Sequence, residues 1–276
     1  MRLLRRLLLF GLSAGLFLAA FSYWAATRDP VVRETRVELE GWPAGQRRLR
    51  ILLAADIHVQ GPDMPPERLA RIVDHINALQ PDLILLAGDF IGDRQLSTRW
   101  YSYDEALAPL RQLRAPLGTV AVLGNHDHWM DAAAAARALR ANGVTLLSND
   151  AVRVGPLGLG GLDDDFTRRS DLPRTIARIR EVGGVPMVLS HSPDPFPELP
   201  PAVGLVLAGH THCGQIRLPL VGAISYESRY GRRYTCGRID ENGRTLIVSA
   251  GLGTSVLPFR LGAVPDLWLV EVGPRP

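Results

Sequence analysis

Eight polar residues able to do metal or proton chemistry share one address in this sequence, the end of a short apolar run. The run 51–55 ends on Asp56-Ile57-His58, the run 83–87 on Gly88-Asp89, and the run 120–123 on Gly124-Asn125-His126-Asp127. The run 185–189 leads to Ser190-His191-Ser192, and the run 203–208 to Gly209-His210-Thr211-His212. A single histidine after a strand reads most simply as a loop residue. Five of the seven histidines fall at this one address, and chance does not readily place them there. The set offers two carboxylates, one amide oxygen and several imidazoles, with no thiolate. Such donors suit Mn, Fe, Zn or Co better than a closed structural zinc site. Seven candidate ligands (Asp56, His58, Asp89, Asn125, His191, His210 and His212) exceed what one ion uses. Two ions about 3.5–4 Å apart would use them, clamping the attacking and leaving oxygens of a phosphoryl displacement and acidifying a shared water towards a pKa of ~7.

Continuous apolar runs of four to six residues are the pattern of strands buried on both faces. Between the first two runs, Leu69, Ile72, Val73, Ile76 and Leu79 make a helical stripe after Pro65-Pro66. Further helices are expected from Asp131 through the alanines to Arg140, and from Pro173 to about Glu181. Strands alternating with helices give an α/β body with at least partly parallel sheets. Ligands of such sheets bind at the carboxyl ends of the strands, where the eight residues lie. Later strands near 152–159, 245–250 and 267–272 have no helices between them and are expected to form a second sheet.

The chain has 276 residues, and all 31 of its cations are arginine. The absence of lysine excludes a P-loop lysine, a Schiff base and a lysine general base. A formal net charge of +3 without a basic stripe excludes a dedicated nucleic-acid binder. Residues 7–26 carry no charge, and as a helix they would span about 30 Å, the hydrocarbon thickness of a bilayer. The segment has no polar face, unlike a buried core helix, and Tyr23 and Trp24 at its far end suit an interfacial belt. Residues 1–28 are therefore expected to be an uncleaved anchor in preference to a cleaved signal segment, with 29–48 a linker or edge strand and 49–276 the catalytic domain. A short tail before a first helix favours a body outside the cytoplasm, although Arg28, Arg33 and Arg36 nearly balance Arg2, Arg5 and Arg6. Without those three leading arginines the rest of the chain is formally neutral, with 28 arginines and 28 acids, so its attraction for phosphate must be local.

The ordered motifs Asp56-x-His58, Gly88-Asp89-x-x-Gly92-Asp93, Gly124-Asn125-His126-Asp127, His191 and Gly209-His210-Thr211-His212 resemble those of the calcineurin-like metallophosphoesterases over roughly residues 48–272. The N-terminal segment, the stretch Gly209-His-Thr-His-Cys-Gly-Gln-Ile and the later Ser249-Ala-Gly-Leu-Gly look like the bacterial membrane-anchored phosphodiesterase branch. The resemblance implies an α/β four-layer αββα sandwich preceded by one transmembrane helix. It implies a hydrolase of phosphodiesters or related esters at a bacterial inner membrane, with the body on the periplasmic side. Asp56, His58 and His212 would hold one divalent ion, and Asn125, His191 and His210 a second. Asp89 would bridge them, with Mn favoured over Fe or Zn. His126 would assist the leaving oxygen, and Asp127 would either orient His126 or serve as a turn residue. The substrate would be a phosphate ester, lipid-linked or from the cell envelope, with no nucleic-acid partner. Some members of the branch hydrolyse UDP-2,3-diacylglucosamine, but UDP-sugars are cytosolic, against the expected topology. A binding module without turnover is disfavoured, because every position the family pattern demands is filled.

Other polar residues carry less weight. His75 is expected to be solvated, His128 to be a loop residue, Asp93 to brace a loop, and Asp163-Asp164-Asp165 to be an acidic loop. Arg94, Arg217, Arg232, Arg233 and Arg260 are candidates for a phosphate clamp. Cys213 and Cys236 are free to pair if the body lies outside the cytoplasm; two buried thiols are the alternative.

Overall fold

The structure, a computed structural model, describes residues 2–94 and 97–275. Helix α1 (Arg2–Thr27) stands away from the body: residues 2–21 are exposed, and only Ser22, Ala25 and Ala26 are buried. The first half of the body runs β1 (Val31–Leu39), β2 (Leu49–Ala54), α2 (Pro66–Ala78), β3 (Leu83–Ala87), α3 (Tyr103–Leu107), β4 (Thr119–Val122), α4 (Asn125–Met130), α5 (Ala132–Ala141) and β5 (Thr145–Leu146). The second half runs β6 (Asp150–Val154), β7 (Leu157–Gly161), α6 (Leu172–Val182), β8 (Val185–Leu189) and β9 (Leu205–Ala208). A short hairpin, β10 (Arg217–Leu218) and β11 (Gly222–Ala223), precedes β12 (Gly237–Glu241), β13 (Arg244–Val248) and β14 (Asp266–Pro274).

Two six-stranded sheets result, in the orders β1-β14-β2-β3-β4-β5 and β12-β13-β9-β8-β7-β6. Strands β2 to β5 run parallel in the first, and β13, β9, β8 and β7 in the second. The two-residue period of a strand divides the apolar runs between two faces. Ile51, Leu53 and Leu85 meet Leu157, Met187 and Leu207 between the sheets. Leu52, Ile84 and Leu86 lie on the opposite face under Ile72 and Ile76 of α2 and Leu139 of α5. Val188, Val206 and Val248 lie on the outer face of the second sheet under Ile179 of α6 and Phe196. The layers are therefore α, β, β, α, and burial of both sheets on both faces is what keeps the runs continuously apolar.

The expected helices form. Asp131 caps α5 by accepting the Ala134 N–H at 2.9 Å, and Asp171 caps α6 by accepting that of Arg174 at 2.9 Å. One strand departs from expectation: 267–272 joins the first sheet, not the second. There β14 lies antiparallel to β2 and parallel to β1. Its Leu267 and Leu269 pack under the helices while Val270 and Val272 face the other sheet. A run apolar on both sides suits the interior of either sheet, so its pattern does not say which one it enters.

Candidate metal centre

The chain leaves the carboxyl ends of β2, β3, β4, β8 and β9 through turns that converge. Asp56, His58, Asp89, His210 and His212 all adopt left-handed backbone conformations, with φ of 49°, 47°, 56°, 70° and 49°. Each such residue costs about 1–3 kcal/mol and persists only where its surroundings enforce it. Backbone bonds between the loops supply that enforcement: His58 N–H donates to the Asp89 carbonyl and Gly209 N–H to that of His191, both at 2.9 Å. The loops also approach closely. A β-carbon on Gly124 would lie 2.2 Å from Asp89 Oδ1.

Among the described residues, three groups of donors have ligand atoms within 4.8 Å of one another: Asp56-His58-His212 and Asp89-His191-His210, which share no residue, and His58-Asp89-His126, which overlaps both. Donors bound to one first-row ion at about 2.1 Å stand about 3.0–3.4 Å apart. His58 Nε2 and His212 Nε2 are 3.1 Å apart, His191 Nε2 and His210 Nδ1 3.1 Å, and Asn125 Oδ1 is 3.0 Å from His191 Nε2. Asp89 Oδ2 lies 3.3 Å from His191 Nε2 and 3.5 Å from His58 Nε2, within reach of the two groups that share no residue. The donor set fits two divalent ions.

The outer contacts aim these donors. The Ala87 carbonyl accepts the Nδ1 proton of His191 at 2.7 Å, which presents Nε2 to the site. Asp89 Oδ1 accepts the His126 N–H at 2.9 Å, leaving Oδ2 to the centre. Burial pushes the His58 and His210 imidazoles down to about 3 and His212 well below its ordinary value, whereas at His191 the Asp89 and Asp56 carboxylates outweigh burial and hold the ring well above it, a proton that a bound ion would have to displace. Burial likewise pushes the Asp56 carboxyl up to about 7, a strain on its charge that a bound cation would relieve. Burial acts the same way on Asp89, but His191, His126 and His58 outweigh it and hold this carboxyl well below its usual range.

His126 also comes near His58 and Asp89, yet its ring is held from outside the donor set. Asp93 Oδ1 lies 2.8 Å from its Nδ1, while its Nε2 is 4.0 Å from Asp89 Oδ2. Burial lowers the His126 pKa, but Asp93 and Asp89 together hold it above the usual histidine value. Asp127 does not orient this imidazole. Its buried carboxylate accepts the backbone N–H groups of Asp89 at 2.9 Å, Phe90 at 3.0 Å and Gly124 at 3.0 Å, with the Tyr103 hydroxyl at 3.3 Å. Adjacent helical residues point about 100° apart, so Asp127 turns into the loops and not onto its neighbour's ring.

The centre forms the floor of a cleft of about 420 Å³. Its walls are mostly apolar, with Trp129, Phe166, Ile216, Ile224, Val256 and Leu257, and carry the polar Gln215, Ser225, Glu227 and Ser255 among them. The Trp129 ring stands 4.9 Å from that of His126, and Phe166 4.7 Å from that of His210. Trp129 follows His126 by three residues, one helical turn, and that spacing was the available signal for it; Phe166 carries none. None of the five candidate clamp arginines lines the cleft. Arg94 pairs with Asp63, Arg232 donates to the Tyr226 hydroxyl at 2.7 Å and Arg233 is held by Glu241. Arg260, fully buried, donates to the Ala250 carbonyl at 2.7 Å and lies 3.3 Å from His212 Nδ1. His128 pairs with Asp163 at 2.7 Å, and Asp165 with Arg229 at 2.9 Å, so the acidic run is a structural loop. Cys213 and Cys236 are joined in a disulfide directly after the His210–His212 turn.

Residues 49–214 match the calcineurin-like phosphoesterase family, and the chain belongs to it. It is 31% identical over 268 residues to the uncharacterized metallophosphoesterase YkuE of Bacillus subtilis, covering 93% of this chain and 91% of that protein. It is 27% identical over 277 residues to an uncharacterized metallophosphoesterase of Helicobacter pylori, covering 96% of this chain and 71% of that protein. It is also 28% identical over 269 residues to a zebrafish (Danio rerio) protein named transmembrane protein with metallophosphoesterase domain, covering 91% of this chain and 59% of that one. The chain is a metal-dependent phosphoester hydrolase, and its His and Asp groups are suited to the divalent ions the family uses.

Proposed function

We propose that this chain is a membrane-anchored, two-ion phosphoesterase acting on a phosphodiester or a related phosphoric ester. The observation that carries the reading is Asp89 Oδ2, standing 3.3 Å and 3.5 Å from a histidine of each donor group. Asp56, His58 and His212 would hold one ion, Asn125, His191 and His210 the other, with Asp89 shared. Bound ions, Mn foremost, supply Lewis acidity towards phosphoryl oxygens and a water acidified towards neutrality. Among the described residues no arginine lines the cleft, and His126 is a basic side chain at its floor. Asp93 stands on the Nδ1 side of its ring, so Nε2 is the nitrogen that would deliver a proton to the leaving oxygen. Asp127 and Tyr103 keep the loops bearing Asp89 and Asn125 in place.

Helix α1 serves in this reading as a single-pass anchor in a bacterial inner membrane, with the body on the extracytoplasmic side. Its exposed apolar length supports the anchor, as does the name of the zebrafish relative. The bacterial relatives, matched over most of their length, support the host. The Cys213–Cys236 disulfide supports an oxidising compartment and weighs against a cytosolic UDP-sugar substrate. Hydrolysis of bis-p-nitrophenyl and p-nitrophenyl phosphate by the detergent-solubilised full chain with Mn²⁺ tests the reaction. The diester is expected to react faster, and activity surviving His126→Ala would overturn the role given to that residue. A reporter fused after Pro276 tests the side, with signal in the cytoplasm as the contradicting result.

A further inference from the structure

The body grips only the last turns of α1. The Arg260 N–H donates to the Ser22 carbonyl at 2.9 Å, and the Tyr23 hydroxyl donates to the Pro62 carbonyl at 3.4 Å. The uncharged and exposed stretch, residues 7–21, is about 22 Å long at 1.5 Å per residue, so the ~30 Å hydrocarbon layer that residues 7–26 would span reaches the level where the body takes hold of α1. On the anchored reading the turn from Ser22 to Arg28 therefore lies at the membrane surface. Trp24, 55% exposed with the Arg28 guanidinium 5.4 Å from its ring, marks the same level.

From that point, hydrogen bonds lead straight to the cleft. The Leu261 N–H donates to the Gln215 carbonyl at 2.9 Å and the Arg217 N–H to the Leu261 carbonyl at 2.7 Å, which ties the β10–β11 hairpin beside Arg260. The Gln215 side chain accepts the Ser255 N–H at 2.9 Å and donates to the Leu257 carbonyl at 3.0 Å, which adds the 255–257 loop. These two segments expose Leu218, Leu220, Val221, Ile224, Val256 and Leu257, with Leu220 wholly exposed and Val256 78% exposed. Apolar side chains gathered in this way mark an interaction surface. Three of them, Ile224, Val256 and Leu257, are also wall residues of the cleft. Cations flank the tip: Arg217 is exposed, and Arg232 donates to the Val221 carbonyl at 3.0 Å.

We propose that this rim seats in the interfacial layer of the bilayer that holds α1, and that the substrate is an amphiphile taken from that bilayer. Its phosphoric ester reaches Asp89 while its hydrocarbon tail lies along Ile224, Val256 and Leu257. The inference rests on the anchored phosphoesterase reading. A bilayer fits better than a partner protein because the rim is continuous with the level at which α1 emerges, and because its arginines suit anionic headgroups.

The full chain in phosphatidylethanolamine–phosphatidylglycerol vesicles tests it. One sample carries Leu220→Cys labelled with an environment-sensitive dye, and a second carries the same label through Asn242→Cys, in the exposed β12–β13 turn at the opposite end of the second sheet. Lipid-borne nitroxide is expected to quench the label at 220 at least fivefold more than that at 242; equal quenching, with no other protein present, overturns the docking. In the same vesicles p-nitrophenyl hexadecyl phosphate is compared with p-nitrophenyl methyl phosphate. Leu220→Asp combined with Val221→Asp is expected to slow the hexadecyl ester by about tenfold or more and leave the methyl ester within about twofold. Equal wild-type kcat/KM for the two esters overturns the amphiphilic substrate. Hydrolysis of neither overturns the phosphoesterase reading and the substrate with it, while quenching at 220 still decides the docking by itself.

Discussion

Asp93 Oδ1 stands 2.8 Å from His126 Nδ1, across the loop that follows β3, and this contact separates the imidazole from the donors around it. On the role proposed for His126, Asp93 would act as a positioning residue. His126→Ala is expected to lower kcat by about 10²–10⁴-fold, and Asp93→Asn by about tenfold with KM and bound metal unchanged. Adding Asp93→Asn to His126→Ala is expected to cost little further, because both act through one group. Steady-state kinetics on the four proteins checks this, and additive losses would separate the two residues.

The approach of β4 to Asp89 leaves room for hydrogen alone at Gly124, where a β-carbon would lie 2.2 Å from Asp89 Oδ1. Gly124→Ala is expected to displace that carboxylate and weaken Mn²⁺ binding by about tenfold or more. Calorimetric titration with Mn²⁺ measures it, and wild-type affinity in this variant would show that Asp89 Oδ1 need not hold its place.

Removing the Asp127 carboxylate leaves three backbone N–H groups without their acceptor. Asp127→Ala is expected to destabilise the body by about 1–3 kcal/mol for each donor left unpaired, so that Tm falls by several degrees at least. Tyr103→Phe, which loses only the 3.3 Å hydroxyl contact, is expected to fall less. Thermal unfolding followed by circular dichroism ranks the two.

Asp82 offers a titration remote from the centre. Arg47 grips its carboxylate at 2.6 and 2.8 Å and, with the Arg50 N–H at 2.8 Å, holds its pKa below the usual value. A carboxyl depressed in the folded state contributes stability that is fully present above its unfolded pKa of about 3.9 and lost as pH falls through the folded value. The Tm gap between wild type and Asp82→Asn is therefore expected to be full near pH 6 and to narrow below about pH 4. The gap is expected to be small, because Arg47 is mostly exposed. A gap that widens in acid would contradict the pairing.

Much of this was legible in the residues. Buried strands announce themselves as runs such as 83–87, and the family's motifs announce themselves by order and spacing, so the layers and the eight clustered residues were readable before any fold. What was not readable depended on distances between separate loops. Asp127 is the neighbour of His126 in sequence and Asp93 lies 33 residues before it, yet the direction of α4 brings Asp93 to the ring and turns Asp127 away. The strand 267–272 looks alike for either sheet until its partners are known. The candidate arginines carry the right charge for phosphate, but buried acids and carbonyls claim Arg94 and Arg260 first. The apolar rim leaves no motif at all, because it is built from scattered exposed residues that matter only beside α1.

The central claim is that Asp89 joins two donor groups into one two-ion site. Metal analysis of the full chain, loaded with Mn²⁺ and freed of excess, tests it most directly when paired with hydrolysis of bis-p-nitrophenyl phosphate on the same samples. Two ions per wild-type chain are predicted, falling to one or fewer in Asp89→Ala together with loss of turnover. One ion in the wild type, or undiminished metal and activity in Asp89→Ala, would contradict it.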